Sequence, residues 1–136
     1  MTIQKVADKF VAAINRQDVA AIYKLMTEDH RFIDSGGQIF EGRERMKAAW
    51  PDYFKMFPDY SIEVSEKFAS ADTIVLLGHA SGTYTSDGSL KPENHWHIPA
   101  AWKAVIAGEK VKLWQVFADN EPIGEIIRSD KALLNQ

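Results

Sequence analysis

Five side chains in this sequence have the chemistry to move a proton or hold a ligand. Asp34 follows the short apolar run Phe32-Ile33 and precedes Ser35-Gly36-Gly37. An aspartate there is either the capping residue of an Asx-type turn or a carboxylate aimed into a pocket. A carboxylate among apolar groups has its anionic form destabilised and becomes a better base. His79 lies within an apolar stretch and shares strand parity with Val75, Leu77 and Ser81. An imidazole there is a base, acid or donor near neutral pH, or a histidine satisfied by a backbone carbonyl in the core or by solvent on an outer face. His95 and His97 flank Trp96 at i and i+2. With Asp34 or His79 they would make a zinc or iron set, but only if three side chains converged, and no known ligand motif is present. No metal or other cofactor is therefore expected. Asp119 closes the last strong strand pattern, either at a cavity rim or as an exposed strand end.

The bulk numbers bound what these residues can serve. The chain has 136 residues, 46% of them hydrophobic, which suits one domain, 1–136, with a real core. Net charge is -3 with both signs dispersed, so no basic patch points to nucleic acid. The absence of cysteine excludes disulfides, thiolate catalysis and cysteine-ligated zinc. No apolar run is long enough to span a bilayer, and the N-terminus lacks the apolar core of a signal peptide. A soluble cytoplasmic protein is expected.

The elements that must position the five residues follow from periodicity. Ile3, Val6, Ala7, Phe10, Val11 and Ile14 repeat at helical spacing. Asp18 is placed to cap a second short helix, Val19 to Met26. His30 to Asp34 reads as a short strand, Ser35-Gly36-Gly37 as a turn, and Gln38 to Phe40 as a brief return. A third helix begins near Arg43, with Met46, Ala49, Trp50 and Phe54 at its apolar offsets and a kink or break expected at Pro51. From Tyr60 the period becomes two. Strands are predicted at about Tyr60 to Phe68, at Thr73 to Tyr84, at His95 to Ile106 and at Val111 to Ala118, with a terminal helix in Glu121 to Gln136. Helices first and antiparallel strands after them argue an α+β fold, a curved sheet with helices on one face. Such a cone has a mouth where a pocket forms.

Four stretches carry a family likeness: "FVAAINRQDVAAIYKLM" from Phe10, "FIDSGGQIFEGRERM" from Phe32, "MFPDYSIEV" from Met56 and "AGEKVKLWQVFAD" from Ala107. In order and spacing they resemble the nuclear-transport-factor-2-like superfamily, in its SnoaL-like and ketosteroid-isomerase-like branch. The resemblance implies a cone-shaped curved antiparallel sheet with the N-terminal helices on its concave side, a cystatin-like arrangement. It implies a carboxylate base at Asp34, with His79 turned into the cone to polarise or reprotonate a carbonyl. It also implies a wall drawn from Trp50, Tyr53, Phe54, Phe57, His97, Trp114 and Val116.

That fold hosts isomerases, cyclases, hydrolases and non-catalytic modules, so it does not fix a function. In ketosteroid isomerase a tyrosine and a protonated aspartate donate to the developing oxyanion. The matching positions here are Phe10 and Ala101, which donate nothing, and losing one such donor costs about 100- to 1,000-fold in rate. Two readings follow. One is a cofactor-independent isomerase, cyclase or related lyase or hydrolase acting on a small hydrophobic carbonyl compound. The other is a non-catalytic ligand-binding or assembly domain. The alternation of His95 to Ile106 leaves one strongly apolar face, Trp96, Ile98, Trp102 and Ile106. With Ala101 placed inward by the resemblance, that face is expected outside, in a homodimer interface, unless a β-bulge near Pro99 alters the parity over part of the strand.

Overall fold

The computed structural model describes residues 2–134. Its elements run α1 (Ile3–Asn15), α2 (Val19–Lys24), β1 (Met26–Ile33), β2 (Ile39–Glu41), α3 (Arg43–Met56), β3 (Ser61–Ser70) and β4 (Thr73–Thr83). A single 3-10 turn (Pro92–Asn94), β5 (His95–Ala107), β6 (Lys110–Ala118) and α4 (Glu121–Leu134) follow. Asn135 and Gln136, which the terminal-helix expectation included, lie outside the described residues, as does Met1 of the domain range 1–136.

The helices start where short polar side chains can take orphan amides. Thr2 accepts from the Lys5 amide and Asp18 from the Ala21 amide. The helical stripe of α1 buries Val6, Ala7, Phe10, Ala13 and Ile14. Asn15 fixes that helix on the sheet: its amide donates to the Ile62 carbonyl at 3.0 Å and accepts from the Ile62 N–H at 2.8 Å. α3 runs through Pro51 without the break that was one of the two outcomes expected there. Pro51 and Lys47 are both exposed, so the Lys47 carbonyl that loses its helical donor faces water.

The six strands form one sheet in the order β2-β1-β6-β5-β4-β3. It is mixed rather than wholly antiparallel, because β1 pairs parallel to β6, Phe32 opposite Trp114 and Ile33 opposite Gln115. Bulges between Val64 and Glu66 and between Val105 and Ile106 bend the strands. The result is the α+β, curved-sheet architecture read from the sequence.

One face of the sheet is covered by helices. On it Ile74, Leu76, Trp102 and Trp114 pack beneath Phe10 and Ile14, all at most 1% exposed. Trp102 and Trp114 stack at 6.4 Å, and Phe10 lies 5.0 Å from Trp114. The Trp96–Trp102 face of β5 is thus the inner face, which overturns the expectation that it points outward. Ala101 is on the outer face with Lys103 and Phe117. The reason is mass: two indoles and two isoleucines remove far more apolar surface from water than Ala101 and Lys103 could.

Candidate functional site

Towards one end of the helix-covered face the filling stops. Where Ile74, Leu76 and Trp102 fill one half, the other half of the floor is Ala80, Ala100 and Ala118, with Ala100 paired to Ala118. Three methyl groups where large side chains stand elsewhere leave a cavity of about 740 Å3. Phe32 of β1, Phe40 of β2, Trp50 and Tyr53 of α3, Tyr60, Trp96 and Ile98, and Trp114 and Val116 of β6 wall it, and Ile123 of α4 closes over it.

The rim is polar. Asp34, Ser35 and Gly36 follow β1, Asp119 and Asn120 follow β6, and all five reach the cavity. The parallel β1–β6 pairing brings the two loops to one end of the sheet, where the Asn120 amide donates to the Ser35 hydroxyl. Asp34 belongs to the turn and also lines the cavity. Its Oδ1 accepts from the Gly36 and Gln38 amides at 3.0 and 2.9 Å, and its backbone N–H bonds the Gln38 carbonyl at 3.0 Å. Among the described residues nothing donates to Oδ2. The turn therefore fixes the carboxylate through one oxygen only. Asp119 Oδ1 accepts from the Glu121 amide at 3.0 Å at the start of α4.

Asp34, Trp50, Trp114 and Val116 thus line the cavity as expected. Phe54 and Phe57 do not; they back its wall. Phe54 stacks on Trp50 at 5.4 Å and Phe57 meets the edge of Trp96 at 5.4 Å. His79 and His97 are on the opposite face of the sheet. Along β4 the residues with even numbers, Ile74, Leu76 and Ala80, are buried, and His79 has the other parity. His97 alternates with buried Trp96 and Ile98 and is exposed. The pairing of Asp34 with an imidazole inside the cone is therefore not what the fold produces.

His95 is outside too, and its tautomer is fixed. Thr83 spends its hydroxyl proton on Asp59 Oδ2 at 2.7 Å, so His95 Nδ1, 3.0 Å away, donates to the threonine oxygen. No group of three or more potential metal ligands converges among the described residues.

Tyr60, Trp96, Ile98, Asn120 and Ile123 were missed as site residues by sequence reasoning. The alanines of the floor were the available signal, since small residues spaced along inner strand faces leave volume. Tyr60 is 8% exposed and its phenol is pushed well above its ordinary range by burial and by neighbouring Tyr53. Burial likewise raises Tyr53. The two rings meet edge to face at 5.0 Å, both neutral.

Solved structures share this architecture. A protein described as a SnoaL-like polyketide cyclase from Shewanella denitrificans OS-217 superposes with a TM-score of 0.80 at 13% identity, over 93% of this chain and 97% of that one. IdmH of Streptomyces antibioticus, described as a polyketide cyclase, gives 0.77 at 15% identity, over 93% and 99%. AclR of Streptomyces galilaeus, described as a hydroxylase, gives 0.73 at 20% identity, over 95% and 96%. At these identities the likeness is one of fold. No curated protein matches the chain at a significant level. Residues 7–114 match the SnoaL-like domain family, and the chain belongs to that family.

Proposed function

We propose that this protein is a cofactor-independent acid–base enzyme acting on a small hydrophobic carbonyl compound. The observation that carries the reading is Asp34: it lines an apolar cavity of about 740 Å3, one carboxylate oxygen is held by two backbone amides, and the other has no donor among the described residues. In the step proposed, Oδ2 takes the proton from the carbon beside the carbonyl. The C–H electron pair moves into the new C=C bond and the carbonyl pair onto oxygen, giving an enolate. Return of the proton at another carbon makes the reaction an isomerisation; attack of the enolate carbon on a second carbonyl, whose oxygen then takes the proton back from Asp34, makes it a cyclisation. The cyclase descriptions of structural neighbours support the second outcome.

The test is deuterium exchange of α-protons in cyclic ketones and lactones, followed by NMR. Catalysed exchange that falls about 100- to 10,000-fold in Asp34→Asn is the expected result. No catalysed exchange across the panel leaves the second reading, a non-catalytic ligand-binding domain, which the turn role of Asp34 favours.

We further infer that two copies pair through the outer face of the sheet. Phe68 and Phe117 are 58% and 50% exposed there, with Val75, Leu77 and Val105 between them. We place the protein in the cytoplasm; no helix among the described residues is long and apolar enough to cross a membrane.

A further inference from the structure

Four rings of the cavity wall follow one another in unbroken contact. Phe40 lies 5.7 Å from Phe32, Phe32 meets Trp50 at 6.3 Å with the planes 61° apart, and Trp50 meets Tyr53 at 6.3 Å with the planes 84° apart. All four line the cavity, and Phe32, Phe40 and Tyr53 are only half-buried. Phe54, which does not line it, backs the row by stacking on Trp50. Rings so steeply inclined to one another turn negative π faces in several directions about one enclosed volume. The charged groups of the lining have a single sign. They are Asp34 and Asp119, with no lysine, arginine or histidine, and neither takes part in an ion pair among the described residues. Asp34 comes two residues after Phe32, so their backbones lie within about 7 Å of each other. Phe40 already carries a cation: the Arg45 guanidinium stands 4.9 Å over its ring, and Arg45 does not line the cavity.

We propose that the cavity takes an organic cation, a tertiary or quaternary ammonium, seated against Phe32, Trp50 and Tyr53 on the Asp34 side. The inference goes beyond the proposed reaction and does not need it, since a site that only binds would hold the same cation. Hydration decides which cation fits. A compact ammonium like that of lysine is strongly hydrated and loses that hydration on entry. An alkylated nitrogen spreads its charge over its carbon substituents and has at most one N–H to leave unmade, so its burial costs less. The ring faces offset that cost, because their attraction for a cation grows as water is excluded. The two carboxylates add to it, having no protein cation of their own. Arg45 occupies Phe40, which puts the ligand nitrogen further in, on the rings that no protein cation covers.

Titration with phenyltrimethylammonium at about pH 7.5, followed by tryptophan fluorescence, tests this. The control is tert-butylbenzene, which has the same shape with carbon in place of the charged nitrogen. The cation is expected to bind below millimolar concentration, and its N-methyl proton resonance to move upfield in the ring currents of the wall. In Asp34→Asn/Asp119→Asn its affinity falls at least about fivefold, while that of tert-butylbenzene stays within about twofold and shows that the cavity is intact. High salt weakens the cation and not the control in the unaltered protein, which needs no variant to fold. No binding of phenyltrimethylammonium at millimolar concentration overturns the inference. So does an N-methyl resonance that does not move upfield, or an affinity for the cation that salt and the double variant change no more than they change the control. Cation binding without catalysed deuterium exchange in the ketone and lactone panel sinks the enzyme reading alone. Exchange without cation binding sinks this inference alone.

Discussion

The imidazoles of His79 and His97 stack on each other, centroids 4.6 Å apart and planes 7° from parallel, on the sheet face turned away from the cavity. A ring pair on that side cannot reach a molecule lying over Ala80 and Ala100. His79→Ala is accordingly expected to leave ligand affinity and any exchange rate within about twofold, and to cost less than about 1 kcal/mol of stability. A tenfold fall in exchange with unchanged folding would return His79 to the chemistry.

The same face supplies the dimer prediction. Phe68→Lys/Phe117→Lys puts two charges into the apolar strip, and sizing by light scattering should then report monomers where the parent reports dimers. A dimer that survives both changes would move the interface elsewhere.

Asp34 has two duties that one pair of variants separates. Asn keeps an oxygen for the Gly36 and Gln38 amides, whereas Ala strips both. In urea unfolding Asp34→Ala is expected to lose about 1–2 kcal/mol and Asp34→Asn less than about 0.5 kcal/mol, although both remove the proposed base. Equal stability of the two variants would show that the turn does not depend on this side chain.

Gly78 marks where β4 runs closest to the β3 backbone. A Cβ on it would sit 1.8 Å from the Glu63 carbonyl oxygen, beside the β3 bulge. Backbone has to move to admit it. Gly78→Ala should therefore cost about 1–3 kcal/mol, read as a lower denaturation midpoint at constant m-value. A neutral result would mean the bulge can slide.

His30 gives the fold a pH dependence. It is 1% exposed and its Nδ1 donates to the Val111 carbonyl at 2.7 Å. Burial lowers its proton affinity from the ordinary 6.5, outweighing the opposing pull of the Val111 carbonyl and of Asp29. The unfolded chain thus binds a proton at His30 below about pH 6.5 that the folded chain refuses. Stability from this group falls as pH drops below that value, by at most about 1.4 kcal/mol per unit, and levels off once the folded-state pKa is passed. His30→Gln should flatten that part of the profile; an unchanged slope would remove His30 as its source.

How far the sequence could be read depended on the kind of signal. The alternation of His95 to Ile106 matches the burial pattern of β5 residue by residue. Alternation divides a strand into two faces without saying which is inside, and reliance on Ala101 as an inward position reversed the sign. Summing apolar area on each face would have settled it, and would have moved His79 and His97 outside with it. β1 was read four residues short because its register against β6 shifts between Met26 and Arg31, so its buried positions, Met26 and His30, fall four apart and imitate a helix. Asp34 was legible as a pair of alternatives, a turn or a pocket residue. That both are true follows from its two oxygens having different neighbours, which no one-dimensional pattern encodes.

The parallel seam between β1 and β6 has a consequence for how the protein comes to work. Phe32 meets Trp114 across more than half the chain, and the loop bearing Asp34, already turned by the β1–β2 pairing, is further braced by Asn120. During synthesis the first four strands can all be finished while β1, paired with β2 alone, still lacks its neighbour on the other side. Long-range closures of this sort are slow to form. The cavity therefore closes in a single late event, when the last strand slots between its oldest strand and the hairpins beside it, and a ribosome-bound fragment ending before residue 110 should lack the cavity however well its helices have formed.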